Sequence, residues 1–145
     1  MSKYLSILLL AGISSAALIA VAQQPAAKLK NVPIQQTSPA SGSQMYATYC
    51  AACHGGNAKG NGPAVSALKL PPTDLTLLSQ KNGGKFPAAH VESVLRFGVE
   101  NPAHGSSDMP IWGDLMVSLD TGSRSDSVVT QRITNLVEYI KSIQK

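Results

Sequence analysis

The stretch Cys50-Ala51-Ala52-Cys53-His54 has the spacing C-x-x-C-H and contains both cysteines of the 145-residue chain. On a helix, residues three and four positions apart lie on one side, so the two thiols and the imidazole are expected to project in the same direction. Side chains placed in this way can hold both vinyl groups and the iron of one flat macrocycle. The pattern therefore predicts covalent attachment of a c-type haem.

Three other interpretations of the cysteine pair compete with haem attachment, namely part of a zinc site, a thiol redox pair and a plain disulfide. A zinc site normally needs four protein ligands, and only His90 and His104 remain, neither at finger-like spacing. A thiol oxidoreductase is expected to carry its cysteine pair near a βαβ pattern, which the sequence does not show. A plain disulfide between Cys50 and Cys53 is the third interpretation. The histidine that directly follows Cys53 favours haem attachment over all three.

Residues 1–22 have the pattern of a secretory signal peptide. They begin with Met1-Ser2-Lys3, continue through an apolar run and end in Ala20-Val21-Ala22, a small-residue cleavage site. A retained membrane anchor is the alternative, because the apolar run is close to the lower length limit of a spanning helix. Cleavage after Ala22 predicts a periplasmic or secreted protein without stable membrane insertion. Export also suits haem attachment through two thiols.

The mature chain is long enough for one domain. Removal of residues 1–22 leaves 123 residues with a formal net charge of +3. Aromatic residues make up only 5% of the chain, so a buried haem would supply apolar bulk that the core lacks. Residues 23–41, rich in Gln, Pro, Ala and Ser, predict an extended arm or linker that either wraps the domain or only separates it from the cleavage site. Residues 42–145 form the predicted domain, and the single C-x-x-C-H predicts one haem.

The hydrophobic pattern predicts an all-α domain of a few helices and long loops around the haem. No run alternates convincingly with period two, so little or no sheet is expected. Proline and glycine bound one predicted helix, and the last predicted helix has the clearest apolar stripe, which needs the first helix as a partner. The predicted helices are about Ser43–Cys53, Ala88–Phe97 and about Asp126–Ile143, and the main loops are Gly55–Pro63, Leu70–Asp74, Lys81–Pro87 and Gly98–Gly113.

The sixth iron ligand has six candidates, which are Met45, Met109, Met116, His90, His104 and water. Met109 is the preferred ligand because Pro110 stiffens the loop that carries it. Its thioether would favour Fe(II) relative to a second imidazole. Met116 is expected to be a core side chain, and Met45 is too near Cys50 to reach the far face of the haem. His104 is the alternative that would give two histidine ligands.

Charge is distributed unevenly along the mature chain. Residues 23–85 carry a net charge of +5, whereas residues 86–145 carry −2. The basic part is interpreted either as solvated surface or as a face that docks an acidic redox partner. No nucleic-acid partner is expected.

The motifs together resemble the class I cytochrome c family, most closely its small secreted bacterial members. The resemblance covers about residues 42–144. It implies an all-α cytochrome c fold in which the first and last helices cross near the haem, and it implies a one-electron carrier. The residues that carry it are Cys50 to Gly55, Gly60-Asn61-Gly62-Pro63, Met109-Pro110-Ile111-Trp112-Gly113 and Leu136-Val137-Glu138-Tyr139-Ile140.

The resemblance also implies roles for individual residues. Cys50 and Cys53 would form the thioethers, with His54 as the proximal and Met109 as the distal iron ligand. The backbone carbonyl of Pro63 would accept the proton on the other nitrogen of the proximal histidine. An ordinary helix-start proline is a compatible interpretation of the same residue. Trp112 would pack on the haem and donate its N–H to a propionate, although a plain core tryptophan fits almost as well.

Three functions agree with these features to different degrees. The preferred hypothesis is a freely diffusing electron carrier, not an enzyme, because two protein ligands leave no coordination position for a substrate. The second is a haem subunit of a larger oxidase or dehydrogenase complex. Under both of these hypotheses, the partners of the chain would be redox donor and acceptor proteins, including a terminal oxidase or dehydrogenase. The third is a peroxidase or gas sensor with an open iron, which the Met109 motif disfavours.

Overall fold

The computed structural model describes residues 34–98, 109–119 and 126–145 of the chain. These ranges contain helices and no strand, so the all-α prediction is confirmed. Short 3-10 turns lie at Val65–Ala67 and Leu75–Leu77. The predicted signal peptide, residues 23–33 of the predicted arm and His104 lie outside the described residues. The α-helices are α1 Gly42–Met45, α2 Ala51–His54, α3 Leu78–Lys81, α4 Ala88–Phe97, α5 Trp112–Ser118 and α6 Asp126–Ser142.

The first helix runs without a break from α1 to α2, through a π-helical segment at Tyr46–Cys50. The Ser41 side chain accepts a hydrogen bond from the Gln44 backbone N–H at 3.2 Å and caps its start. The helix ends at Gly55, whose φ of 81° an L side chain rarely adopts. A π segment accommodates one extra residue in a helix and is frequent at functional sites. Here it ends at the first thiol, Cys50, and directly precedes the turn that carries Cys53 and His54.

The first and last helices cross at close range, as predicted. A Cβ atom added to Gly42 would collide with the backbone carbonyl of Asn135 and with Cβ of Tyr139 on α6. One turn further along, the rings of Tyr46 and Tyr139 pack with their centroids 5.2 Å apart. The absence of a side chain at residue 42 therefore lets the two backbones approach. The crossing buries the apolar stripe of α6, which comprises Val129, Ile133, Leu136, Val137 and Ile140.

Helix α4 has the predicted bounds, whereas α5 is a helix that the sequence did not predict. The sequence predicts a loop at Gly98–Gly113, which overlaps the start of α5, because seven residues are too few to establish a helical period. Its formation depends on packing, since the backbone of Gly113 lies directly against the backbone of Arg96 on α4. Arg96 also donates to Glu92 at 2.8 Å and to Thr130 on α6 at 3.4 Å. These contacts join α4, α5 and α6 into one wall of the fold.

Residues 34–41 form a strap across three helices. The Gln36 side chain donates to the Leu119 carbonyl, just after α5, at 3.2 Å. Tyr49 in the first helix donates to the Gln35 carbonyl at 2.6 Å. Asn135 on α6 donates to the Pro39 carbonyl at 2.8 Å. This part of the predicted arm therefore lies against the helical domain.

The C-terminal residues join α6 to the segment between residues 75 and 81. The Gln144 side chain accepts from the Ser79 backbone N–H at 2.9 Å and donates to the Leu75 carbonyl at 2.7 Å. The Lys145 backbone N–H donates to the Thr76 carbonyl at 3.0 Å. These hydrogen bonds position Leu75 and Leu78, which face the cavity described below.

Candidate functional site

The C-x-x-C-H residues lie at the end of the first helix and face one cavity. Cys50 is buried, Cys53 and His54 are half-buried, and both cysteines are free thiols. Burial, followed by the nearby charge of Cys53, raises the pKa of the Cys50 thiol to about 12. The structure therefore brings the two thiols and the imidazole together, as the spacing predicted.

The cavity has a volume of about 470 Å³ and mainly apolar walls. Pockets for cofactors and other small molecules commonly have volumes of roughly 300–1,000 Å³, with few polar groups. Several elements contribute to the walls, so the cavity depends on the whole fold. Its lining residues outside the C-x-x-C-H motif include Leu68, Leu70, Leu75 and Leu78 from the loop side and Val91, Val94, Leu95, Trp112 and Ile140 from the helices.

The imidazole of His54 is oriented by a backbone carbonyl. Its Nδ1 atom lies 3.1 Å from the carbonyl oxygen of Thr73, which also lines the cavity. Because that oxygen can only accept, Nδ1 carries the proton and Nε2 is left as the donor atom for a metal. Burial lowers the pKa of His54, although the hydrogen bond to Thr73 acts in the opposite direction.

The carbonyl that lies at Nδ1 of His54 is that of Thr73, whereas the resemblance implies the carbonyl of Pro63. Pro63 lies between two residues that close the end of the first helix. The Gly62 backbone N–H donates to the Cys53 carbonyl at 3.0 Å, and the Ala64 backbone N–H donates to the Ala52 carbonyl at 2.9 Å. Pro63 does not line the cavity, and the carbonyl at Nδ1 of the histidine belongs to Thr73. Pro63 therefore shapes the loop that closes the helix.

Two loops hold Thr73 in place beside the histidine. The Gly60 backbone N–H donates to the His54 carbonyl at 2.8 Å, and the Leu75 backbone N–H donates to the Ala58 carbonyl at 2.8 Å. Gly60 has a φ of 75°, and a Cβ atom there would collide with the Pro72 carbonyl. The loop that follows the C-x-x-C-H motif is thus packed directly on the segment that carries the histidine's acceptor.

Thr73 is a functional residue that no sequence motif indicated. Its contribution is a backbone atom, which no side-chain pattern reports. The one signal was the preceding Pro71-Pro72 pair, because two consecutive prolines restrict the backbone to extended conformations. The aspartate after Thr73 adds a turn, since Asp74 accepts from the backbone N–H of Thr76 at 2.9 Å and from its hydroxyl at 2.7 Å.

The predicted distal residues also face the cavity. Met109 is half-buried and Trp112 is buried, and both line the cavity that His54 lines. Trp112 packs on Tyr49, with the ring centroids 5.5 Å apart. Tyr49, the residue before the first cysteine, is a further wall residue. The thioether of Met109 is therefore available to a group bound in the cavity.

The other candidate ligands lie in different places. Met45 and Met116 are fully buried in the core and do not line the cavity. His90, at the start of α4, does line it, although its side chain is exposed. Across the described ranges, no three His, Cys, Asp or Glu side chains group as a metal-ion site would require. In the same ranges, none of the helices combines the length and apolarity needed to cross a membrane.

The residues around the cavity fit a covalently bound haem. One mainly apolar cavity presents two thiols, an imidazole with a free Nε2 atom and a soft thioether, which are the donor types that c-type haem uses. Tyr49 and Trp112 add flat aromatic surface to its wall. The chemistry of this donor set agrees with the C-x-x-C-H spacing.

Comparison with known families agrees with this geometry. The family model described as cytochrome c oxidase, cbb3-type, subunit III matches residues 37–118, which is more than half of the chain. The match includes the C-x-x-C-H motif, Met109 and Trp112. Neither the curated proteins nor the solved structures gave a match. The chain belongs to the cytochrome c oxidase cbb3-type subunit III family and is a haem-bearing electron-transfer c-type cytochrome.

Proposed function

We propose that this chain is an exported one-electron carrier with a single haem c, which is bound through Cys50 and Cys53. His54 and Met109 are its axial ligands. The observation that carries the proposal is the convergence of these four side chains on one mainly apolar cavity. When bound, haem supplies one-electron Fe(II)/Fe(III) chemistry.

The residues of the chain set the conditions for that chemistry. Thr73 fixes the orientation of the His54 ring and keeps its Nε2 atom unprotonated. A neutral, soft thioether at the second axial position favours Fe(II) more than an imidazole would. With His54 and Met109 both bound to the iron, no coordination position would be left for a substrate. We therefore propose a carrier function without catalysis by this chain.

The cavity reaches the protein surface, as electron exchange with a partner requires. Leu70 lines the cavity and is 52% exposed, and Pro71, His90 and Pro110 are exposed lining residues on other parts of its edge. A partner that covers this edge would approach the bound group without a change in the fold. The apolar edge gives such a partner packing surface, and Lys69, which directly precedes Leu70, adds a positive charge that would attract an acidic partner.

Export is supported by the signal pattern at residues 1–22. We propose that cleavage after Ala22 releases the protein into the periplasm or the medium. Thioether formation at two cysteines also needs a compartment that manages thiols separately from the cytosol. Comparison of the N-terminal residue of the purified protein with Gln23 tests this step directly.

A haem subunit of a terminal oxidase is the second candidate function, because the matching family is named for an oxidase subunit. Sedimentation of the protein purified without detergent distinguishes the diffusing carrier from the oxidase subunit, because it shows whether the chain is a monomer or part of a larger complex. A monomer that exchanges electrons with a partner in solution supports the diffusing carrier. Stable co-purification with oxidase subunits supports the second candidate instead.

Haem attachment itself is tested by single and double substitutions of the cysteines. Wild-type protein is expected to give a haem-stained band on a denaturing gel. Cys50→Ala or Cys53→Ala leaves one thioether and sharply reduces the stained band, and the double variant abolishes it. His54→Ala retains both thiols and serves to separate loss of the iron ligand from loss of attachment. A stained band from the double cysteine variant would refute covalent attachment here.

A further inference from the structure

A buried arginine lies behind the wall of the haem cavity. Arg132 on α6 is only 3% exposed. One of its terminal nitrogens, Nη1, donates to the Thr37 carbonyl at 2.9 Å and to the Thr37 hydroxyl at 3.2 Å. Its Nε atom is buried and has no hydrogen-bond partner. A buried charge held by neutral acceptors is costly, so the fold retains Arg132 against an energetic penalty.

The positive charge has no carboxylate partner within the described ranges. The ion pairs there join Arg96 to Glu92 and Lys141 to Glu138. The Nη1 atom also contacts the sulfur atom of Met45 at 4.0 Å. The described surroundings of the guanidinium are therefore neutral, and its field is not cancelled by them.

A one-way chain of hydrogen bonds leads from Arg132 to the cavity wall. Tyr49 has a single hydroxyl proton, which it donates to the Gln35 carbonyl at 2.6 Å. In its 2.9 Å contact with Thr37, the Tyr49 oxygen must therefore accept, and Thr37 must donate. The Thr37 oxygen in turn accepts from Arg132. Hydrogen bonds aligned in one direction polarise one another, which strengthens the chain.

This chain ends at a residue that the haem would contact. The Tyr49 ring lines the cavity and packs on Trp112, which lines it as well. Two side-chain contacts thus separate the guanidinium from the cavity wall. Oxidation of an iron bound there adds one positive charge, and a fixed positive charge nearby opposes this change. Arg132 is shielded from bulk solvent, so salt screens its field only weakly.

We propose that Arg132 is a positioning residue that raises the reduction potential of the haem, with Thr37 and Tyr49 holding its charge behind the cavity wall. The inference rests on the proposed haem site. A pyridine haemochrome spectrum of the wild-type protein tests the haem itself, and the potentials of the variants then test Arg132. The two can therefore fail independently.

The first test compares Arg132→Gln with Lys141→Gln by spectroelectrochemical titration. Both variants lose one positive charge from α6, but Lys141 is exposed and paired with Glu138. Arg132→Gln is expected to lower the ferrous-to-ferric ratio at a fixed ambient potential roughly three- to tenfold, where tenfold corresponds to about 59 mV for one electron. The change should persist at high salt. Lys141→Gln should alter the ratio less than twofold.

A second pair of variants leaves Arg132 in place. Thr37→Asp puts a carboxylate beside the guanidinium and neutralises it, whereas Thr37→Asn is the uncharged control. We expect Thr37→Asp to have a lower reduction potential than Thr37→Asn. If Arg132→Gln fails to retain haem, this second pair alone tests the proposal. Two results would overturn the proposal and leave Arg132 with a packing role alone. One is a ferrous-to-ferric ratio of Arg132→Gln within twofold of the wild-type ratio at the same ambient potential. The other is equal reduction potentials of Thr37→Asp and Thr37→Asn.

Discussion

The Nδ1 atom of His54 lies 3.1 Å from the backbone carbonyl oxygen of Thr73. This contact joins the C-x-x-C-H motif to a segment 19 residues away, and it sets which imidazole nitrogen can bind a metal. Its stability depends on Gly60, which lets the loop after the motif pack on the Pro72 carbonyl. The orientation of the proximal ligand is therefore a property of two packed loops.

Substitution of Gly60 by alanine should disturb this arrangement. The residue has a φ of 75°, and the added Cβ would press on the Pro72 carbonyl next to Thr73. We expect the free energy of unfolding to fall by about 1–3 kcal/mol. Denaturant titration of the haem-loaded protein measures this change. Gly56→Ala is the matched control, because a Cβ there meets nothing within 4 Å. Equal losses in the two variants would contradict the packing argument.

The sulfur ligand is tested by changing Met109. Met109→Ala should remove the weak sulfur-to-iron charge-transfer absorption of the ferric protein, and Met109→His should lower the reduction potential because imidazole stabilises Fe(III) better than thioether. Optical spectra and a redox titration measure the two effects.

Met116→Leu is the control for Met109, because Met116 is fully buried in the core and does not line the cavity. A leucine conserves its volume, so the variant should lose less than about 1.5 kcal/mol of stability and keep the sulfur absorption. If the absorption survived in Met109→Ala, another sulfur, with Met116 first, would have to be the ligand.

The close crossing of the first and last helices predicts an unusual effect at Gly42. Alanine in place of an exposed glycine in a helix usually stabilises it by up to about 1 kcal/mol. At Gly42, however, the added Cβ would meet the Asn135 carbonyl and Tyr139, so Gly42→Ala should destabilise the fold by about 1–3 kcal/mol. Thermal or denaturant unfolding measures the sign. A more stable variant would show that the helices can separate at little cost.

Elements bounded by strong local signals were predictable from the sequence. Helix α4 has its predicted bounds because Pro87 precedes it and Gly98 follows it, and both residues restrict the backbone locally. The long apolar period of α6 likewise predicted both its existence and its need for the first helix. In each case the information lies in neighbouring residues.

The remaining features depend on contacts between distant residues. The π segment at Tyr46–Cys50 inserts one residue into a helix, which changes no residue type and leaves no pattern. Helix α5 is short and is supported by Gly113 against Arg96. The acceptor for His54 is a backbone atom, which no residue type reveals. The resemblance to cytochrome c therefore indicated the carbonyl of Pro63, whereas the packed loops place the carbonyl of Thr73 at Nδ1. The buried position of Arg132 depends on the strap, and the sequence left open whether that segment wraps the domain or only separates it from the cleavage site.

Alkaline pH should destabilise the protein through Tyr46. Burial, followed by the charges of Cys50 and Tyr139, raises the pKa of Tyr46 from 10.0 to about 12. Attachment of Cys50 to haem removes its charge but leaves burial, the larger cause. Between these pH values the unfolded state holds fewer protons than the folded state, so stability falls as pH rises.

Tyr46→Phe tests this prediction. Its free energy of unfolding at neutral pH should fall by about 1 kcal/mol, because the 2.7 Å hydrogen bond from Tyr46 to the Gly55 carbonyl is lost. Above pH 10, however, its stability should decline less steeply than that of the wild type. Denaturant titrations at stepped pH values give both slopes. Parallel slopes would show that Tyr46 does not control alkaline stability.

The lysines of the basic half of the chain should steer an acidic redox partner. Lys59, Lys69, Lys81 and Lys85 are exposed, and Lys69 directly precedes Leu70 at the edge of the cavity. Attraction between such surface charges is screened beyond about 8–10 Å at physiological salt. Electron transfer to the partner should therefore slow as ionic strength rises, and replacing the four lysines by glutamate should slow it further at low salt.

Replacement of the same four lysines by arginine is the control, because it keeps the charge and should leave the rate nearly unchanged. Stopped-flow kinetics against ionic strength measures both variants, and the visible spectrum confirms that the haem environment is preserved. Fields of this kind act mainly on the rate of encounter, so the effect should lie in the second-order rate constant. If charge reversal and salt both left that constant unchanged, the lysines would be solvated surface, and the exposed apolar edge around Leu70 and Pro110 would have to provide the docking contacts.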